Sequence, residues 1–156
     1  MGSTLQKRGL SRYPFPTSAA VSAAMRGNRK RDTGPELRLR SLLHTRGLRF
    51  RANRELIVPG LRVRADIVFP RRRVAVFVDG CFWHSCPRHR TSPKANAAWW
   101  AAKLAENRRR DAHTNRRLRN AGWHVVRVWE HEAPSKAAAR IVTIVRARRL
   151  RRTRSG

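Results

Sequence analysis

Both cysteines of this chain fall inside one short segment, Asp79-Gly80-Cys81-Phe82-Trp83-His84-Ser85-Cys86-Pro87-Arg88-His89. It follows directly on the apolar run Val74-Ala75-Val76-Phe77-Val78. The same segment holds two of the six histidines, a carboxylate and two adjacent bulky aromatics. A short apolar run reads as a buried strand, so the ligand-type residues occupy the loop at its end. Soft metal ligands, a hard-metal ligand and aromatics that a loop has difficulty burying meet there. The fold must therefore carry a strand into a built site.

The chain has 156 residues, one domain's worth, and can bury a real core. Thirty-seven Lys and Arg stand against nine Asp and Glu, a net charge of +28. A field of that size predicts phosphate binding, fast encounter and steep salt dependence, so nucleic acid is the expected partner. A G- and C-rich genome favours arginine codons and contributes to the excess without removing the field. No apolar stretch reaches membrane-spanning length, and no signal-peptide pattern opens the chain. Cysteines grouped with histidines suit metal binding in a reducing compartment better than a disulfide framework, so the expected location is the cytoplasm.

Residues 1–28 are polar, basic and broken by Gly2, Gly9, Pro14 and Pro16. They read as a mobile basic arm before a domain over 29–150, with a basic tail over 151–156. Thr33-Gly34-Pro35-Glu36 reads as a helix start, in which Thr33 caps, Pro35 fits the first turn and Glu36 completes a capping box. Leu37, Leu39, Leu42 and Leu43 continue the helix and Gly47 stops it. Strand character begins at Leu56-Ile57-Val58 and returns over 63–69 and 74–78. The short Pro70-Arg71-Arg72-Arg73 connector predicts an antiparallel hairpin. That hairpin puts Asp66 within a residue or two of the position opposite Asp79.

Ser92-Pro93 opens a long helix that ends near Ala121-Gly122, with Trp100, Leu104, Asn107, Asp111 and Leu118 on one stripe. Trp123 to Trp129 reads as a further strand. A last helix runs from Ser135 to near Arg149, with Ile141, Ile144 and Val145 on one face. This order of elements predicts an α/β or α+β domain around a mixed sheet.

Cys81, Cys86 and His89 have the tight spacing of a structural zinc site, which needs a fourth ligand. His131, just past Trp129, is the candidate. Two free thiols and a surface histidine are the plain alternative. Asp66, in an apolar strand near Asp79, belongs to a like-charged pair that a sheet disfavours. A divalent cation relieves that repulsion, and oxygen ligands beside phosphate suit Mg2+. Alternatively both carboxylates point to solvent or pair with arginine. His84 has the pKa range of a general acid or base. Asp111 can hold it in one tautomer, or can make a helix salt bridge to Arg108 instead. Phe82 and Trp83, joined by Trp100, suit a wedge that unstacks base pairs; Trp99, Trp123 and Trp129 read as core.

At these residues the chain resembles the very short patch repair endonucleases, bacterial enzymes that nick DNA beside T:G mismatches. The resemblance is carried, in matching order, by Arg31-Asp32-Thr33 with Glu36, by Asp66, and by Gly80-Cys81-Phe82-Trp83-His84. It continues through Trp100, Arg110-Asp111, and Gly122-Trp123 to Trp129-Glu130. It implies a restriction-endonuclease-like core with a structural zinc on Cys81, Cys86, His89 and His131. It implies Asp66 as the main Mg2+ ligand with the Val78 backbone carbonyl nearby. His84 would act in water activation, supported by Asp111, with Glu36 near the site and Phe82, Trp83 and Trp100 as the intercalating wedge.

The activity implied is Mg2+-dependent nicking of one DNA strand at a T:G mismatch left by deaminated 5-methylcytosine. A related nuclease serving a restriction-modification system is one alternative, and a non-catalytic zinc-stabilised DNA-binding module is another. Mismatched duplex DNA is the implied partner, with mismatch-repair proteins and a functional link to a DNA cytosine methyltransferase. The expected form is a monomer associated with the nucleoid. The chain departs from the family pattern at Val78-Asp79, where that pattern has Thr-His, and its zinc set replaces two cysteines with His89 and His131. Asp79 is thus a candidate member of the catalytic group, as an added metal ligand or the mark of another target.

Overall fold

A computed structural model describes residues 31–89 and 93–153. The arm expected over residues 1–28 lies outside them, as do Ser92 and residues 154–156. Helix α1 spans Gly34–Thr45. Its start differs from the expected capping box. The Thr33 hydroxyl donates to Glu36 Oε1 at 3.1 Å, and Glu36 Oε2 accepts the Asp32 N–H at 2.8 Å. Asp32 sits at φ 53, a left-handed geometry that Asp tolerates, so the N–H that meets the first turn belongs to Asp32. The helix stops where expected. Gly47 takes φ 77, its N–H bonds the His44 carbonyl, and the Leu48 N–H bonds the Leu43 carbonyl at 3.0 Å.

Strands β1 (Arg51–Val58), β2 (Leu61–Phe69), β3 (Val74–Asp79) and β4 (His124–Trp129) form one sheet in that order. β1 with β2 and β2 with β3 are antiparallel, whereas β3 and β4 are parallel. A parallel pair requires a long crossover, which helix α2 (Ala97–Asn120) provides. Helix α3 (Pro134–Thr153) ends the described chain, running past Arg149. The fold is α+β, with a four-stranded mixed sheet and three helices among the described residues.

Two boundaries moved for physical reasons. β1 starts at Arg51 rather than Leu56 because it is an edge strand; Arg51, Ala52 and Arg54 pair with Val68, Ile67 and Ala65 through backbone groups and need no apolar alternation. α2 starts at Ala97 because Asn96, just before it, takes φ 56, and a helix does not run through a left-handed residue.

Alternate residues of β3 divide the core between the two faces of the sheet. Val74 and Val76 pack with Ile67, Val126, Leu39 and Leu43 of α1, and Ile141 and Val145 of α3. Ala75 and Phe77 pack with Leu56, Val68, Val125 and Leu118 of α2. The α2 stripe is as expected, with Trp100, Leu104, Asn107 and Leu118 buried and Asp111 partly so. Because Leu43 is fully buried between α1, α3 and the sheet, Leu43→Ala should cost about 3 kcal/mol. That loss should appear as a lower urea midpoint at an unchanged m value.

Candidate active site

The parallel register builds the ligand cluster. Asp79 pairs with Trp129 at the ends of β3 and β4. The chains stay stitched beyond that point: the Glu130 N–H donates to the Asp79 carbonyl at 3.0 Å, and the Cys81 N–H donates to Glu130 Oε1 at 2.7 Å. Two residues past the last pair, Cys81 and His131 therefore lie side by side, with Sγ and Nδ1 3.1 Å apart. The loop then doubles back, with the His84 N–H on the Gly80 carbonyl, the Cys86 N–H on the Cys81 carbonyl and Ser85 at φ 53. That return brings Cys86 Sγ to 3.6 Å from His131 Nδ1, and His89 Nδ1 to 3.8 Å from each sulfur.

All four donor atoms lie within 4.8 Å of one another. A tetrahedral centre with thiolate and imidazole ligands has a sulfur–nitrogen edge of about 3.5 Å. The donor set and its spacing thus fit a metal ion. Both cysteines are free of disulfides. Burial, together with Cys86 and the Glu130 carboxylate, pushes the Cys81 thiol up to about 11. Burial works against the Cys86 thiolate too, but the N–H groups of Arg88 and His89 and the bond from Cys81 outweigh it and bring its pKa down. A cation between the sulfurs is what would ionise both.

The β2/β3 ladder ends at the Ile67–Val76 pair, and beyond it the Asp66 carboxylate accepts the Val78 N–H at 2.7 Å. Asp66 is therefore fixed opposite the end of β3, close to where the hairpin placed it. Arg40 Nη2 donates to the Asp66 carbonyl at 3.2 Å and also reaches Glu36 and Asn53, while its Nη1 pairs with Asp32 at 2.6 Å. Glu36 is buried in this network. Burial raises the Asp66 pKa to about 6, and the charges of Glu36 and Asp79 add to the rise, against the Val78 N–H and Arg40. The like-charge cost expected of this carboxylate group is present.

Asp79 leads to the third group. It is 5% exposed, and its Oδ1 accepts from Arg127 Nη1 at 2.8 Å. The arginine pairing that the sequence offered for Asp79 is therefore present, and the solvent-facing alternative is not. His84 Nδ1 lies 2.5 Å from Asp111 Oδ2 and 3.8 Å from Asp79 Oδ1. Asp111 thus pairs with His84, and at 3.5 Å with Arg127, rather than with Arg108. Burial disfavours the His84 imidazolium, but the Asp111 hydrogen bond and the charges of Asp79 and Asp111 prevail and raise its pKa. Burial likewise opposes the Asp111 carboxylate, and His84, Arg127 and Arg110 overcome it, holding its pKa low. Burial pushes Asp79 upward against the pull of Arg127 and His84.

Phe82, Trp83 and Trp100 form one aromatic cluster with ring centroids 5.1 to 5.8 Å apart. Phe82 and Trp83 keep partial exposure, while Trp100 is buried and backs them. The Asn107 amide holds the Trp83 carbonyl at 3.1 Å. Trp99, Trp123 and Trp129, expected in the core, are all only partly buried, and of the three Trp123 packs against the second core cluster.

Sequence reading missed Arg127 and Arg40. Arg127 had a signal, a charge set inside the apolar strand His124–Trp129. Arg40 had one too, standing one helical turn after Glu36.

Residues 15–90 match the model of a family described as DNA mismatch endonuclease Vsr. The chain is 48% identical over 131 residues to the type II nicking enzyme V.NaeI of Lentzea aerocolonigenes, spanning 83% of this chain and 79% of that protein. It is 44% identical to the type II nicking enzyme V.XorIIP of Xanthomonas oryzae pv. oryzae, spanning 67% of this chain and 74% of that protein. With the DNA mismatch endonuclease Vsr of Escherichia coli it shares 39% identity, over 72% of this chain and 70% of that protein. Similarity this high over so much of each protein, with the motif residues gathered at one end of the sheet, shows that the chain belongs to the Vsr family of endonucleases.

Proposed function

We propose that this chain nicks one strand of duplex DNA at a T:G mismatch, with Asp66 and the His84–Asp111 pair acting at the scissile phosphodiester. The observation that carries the reading is the His84–Asp111 contact, set through Asp79 beside a carboxylate that burial and like charge leave in need of a cation. Mg2+ held by Asp66 and the Val78 carbonyl would supply the charge that activates water and stabilises the leaving oxygen. Asp111 accepts the Nδ1 proton of His84, which leaves Nε2 as the proton acceptor for the attacking water. Phe82 and Trp83, backed by Trp100, enter the stack at the mismatch, where unstacking is cheapest.

The Cys81, Cys86, His89 and His131 set suits zinc, with every position filled by protein and none left for chemistry. Its role is to pin the loop that carries His84 and the wedge against a restriction-endonuclease-like core. Glu36 and Arg40 hold the Asp66 segment from α1. No helix among the described residues is long and apolar enough to cross a membrane. The names of V.NaeI and V.XorIIP favour a form of this reading in which the nicked sequence context is that of a restriction-modification system and its cytosine methyltransferase.

A panel of labelled duplexes carrying each mismatch, in several sequence contexts, tests the substrate. Nicking confined to T:G is expected, and equal cleavage of matched duplexes would assign a broader nuclease. A pH series tests the pair. His84 works as a base only when neutral, and Asp111 and Asp79 raise its pKa above the ordinary imidazole range, so the rate should fall as pH drops through that raised value. Asp111→Asn removes one of the two charges that raise it and leaves only a neutral amide to meet Nδ1. The acid limb should then move to lower pH while the maximal rate drops roughly 100-fold. An unmoved limb would remove His84 from the base role.

A further inference from the structure

We propose that Arg127 is a positioning residue for the nicking reaction, a guanidinium that decides which of two carboxylates holds His84. The inference rests on the role given above to His84 and Asp111.

His84 Nδ1 faces two acceptors, Asp111 Oδ2 at 2.5 Å and Asp79 Oδ1 at 3.8 Å. One ring N–H makes one strong hydrogen bond at a time, so the two carboxylates compete for it. Arg127 settles the competition atom by atom. Its Nη1 lies 2.8 Å from Asp79 Oδ1, the same oxygen that faces His84. On Asp111 it approaches Oδ1, at 3.5 Å, and leaves Oδ2 to the imidazole.

The fork itself is held from outside the pair. Arg127 Nε donates to Asn115 Oδ1 of α2 at 3.1 Å, and the guanidinium lies 4.4 Å above the Phe77 ring of β3. Such a planar group presents its donors in a fixed fork, which a flexible ammonium does not reproduce. Without it, Asp79 is a buried anion whose nearest remaining donor is His84. The ring would swing toward Asp79, and Nε2 would leave the line of the phosphate.

The test is single-turnover nicking of the duplex that the unaltered protein cleaves best, where the amplitude reports folded enzyme and the rate constant reports geometry. Arg127→Gln should lower the rate constant at least tenfold at unchanged amplitude and DNA affinity. Adding Asp79→Asn to that variant removes the competing charge and should restore most of the rate. Arg127→Lys, which keeps the charge and supports the fold, should fall between the two. The inference is overturned if Arg127→Gln loses amplitude and melting temperature but not rate constant, or if the double variant is slower than Arg127→Gln. His84→Ala separates this failure from a wider one. Full activity in His84→Ala would sink the whole reading of the site, whereas an inactive His84→Ala beside a fully active Arg127→Gln sinks only the role of Arg127.

Discussion

Asp66→Asn is expected to abolish nicking and, in metal-free buffer at pH 7.5, to make the protein more stable. Both effects follow from one carboxylate. Asp66 is partly buried, faces the charges of Glu36 and Asp79, and has its pKa raised from 3.8 to about 6. A raised folded-state value means that ionisation costs more in the folded protein than in the unfolded chain. Below pH 3.8 both states are protonated and the cost is absent. It grows as pH rises and is complete above about 6. Partial solvent contact moderates it to about 1 to 2 kcal/mol at pH 7.5.

Asparagine keeps an oxygen for the Val78 N–H and removes the charge. The variant should therefore melt higher than the parent in EDTA at pH 7.5 and equal to it near pH 4. Mg2+ should close the gap by stabilising the parent alone, by about 2.7 kcal/mol at a hundredfold excess over its dissociation constant. Nicking by the variant should fall below about one thousandth of the parent rate. A variant that is both inactive and less stable at neutral pH would mean that Asp66 is a structural acid rather than a ligand awaiting a cation.

Cys86→Ser should have the largest effect on stability. Cys86 is fully buried, and its sulfur stands 3.6 and 3.8 Å from the two histidine nitrogens that close the cluster. With the proposed zinc bound, losing one of its four ligands would release the loop and leave the remaining buried thiol without its counter-charge. A loss on the order of 4 kcal/mol is expected. Bound zinc should drop from one equivalent per chain to well below it, by elemental analysis of protein purified without chelator. Activity should fall as well, because the same loop carries His84, Phe82 and Trp83. A variant that still holds a full equivalent of zinc and melts like the parent would refute the four-ligand centre.

Much of this site was legible because its signals are local. The ligand spacing after Val74–Val78, the α2 stripe that aims Asp111 at the sheet, and the Gly47 stop each depend on residues close in sequence. The Cys81–His131 contact required more, since it rests on the parallel register of β3 and β4, which a strand pattern alone does not specify. Arg127 was illegible for a related reason. Its partners come from β3, α2 and the loop, so its charge has meaning only once Asp79, Asn115 and Asp111 are brought around it. The starts of β1 and α2 were missed because an edge strand needs no apolar alternation, and because one left-handed residue, Asn96, outweighs the helix propensity around it.

The central claim is best tested with one duplex carrying a single T:G pair, labelled on either strand, beside its matched C:G twin, in Mg2+ and in EDTA. The account predicts a single nick in the T-bearing strand of the mismatched duplex, only with Mg2+, and an intact twin. Cleavage of the twin at a comparable rate, or nicking that persists in EDTA, would contradict it.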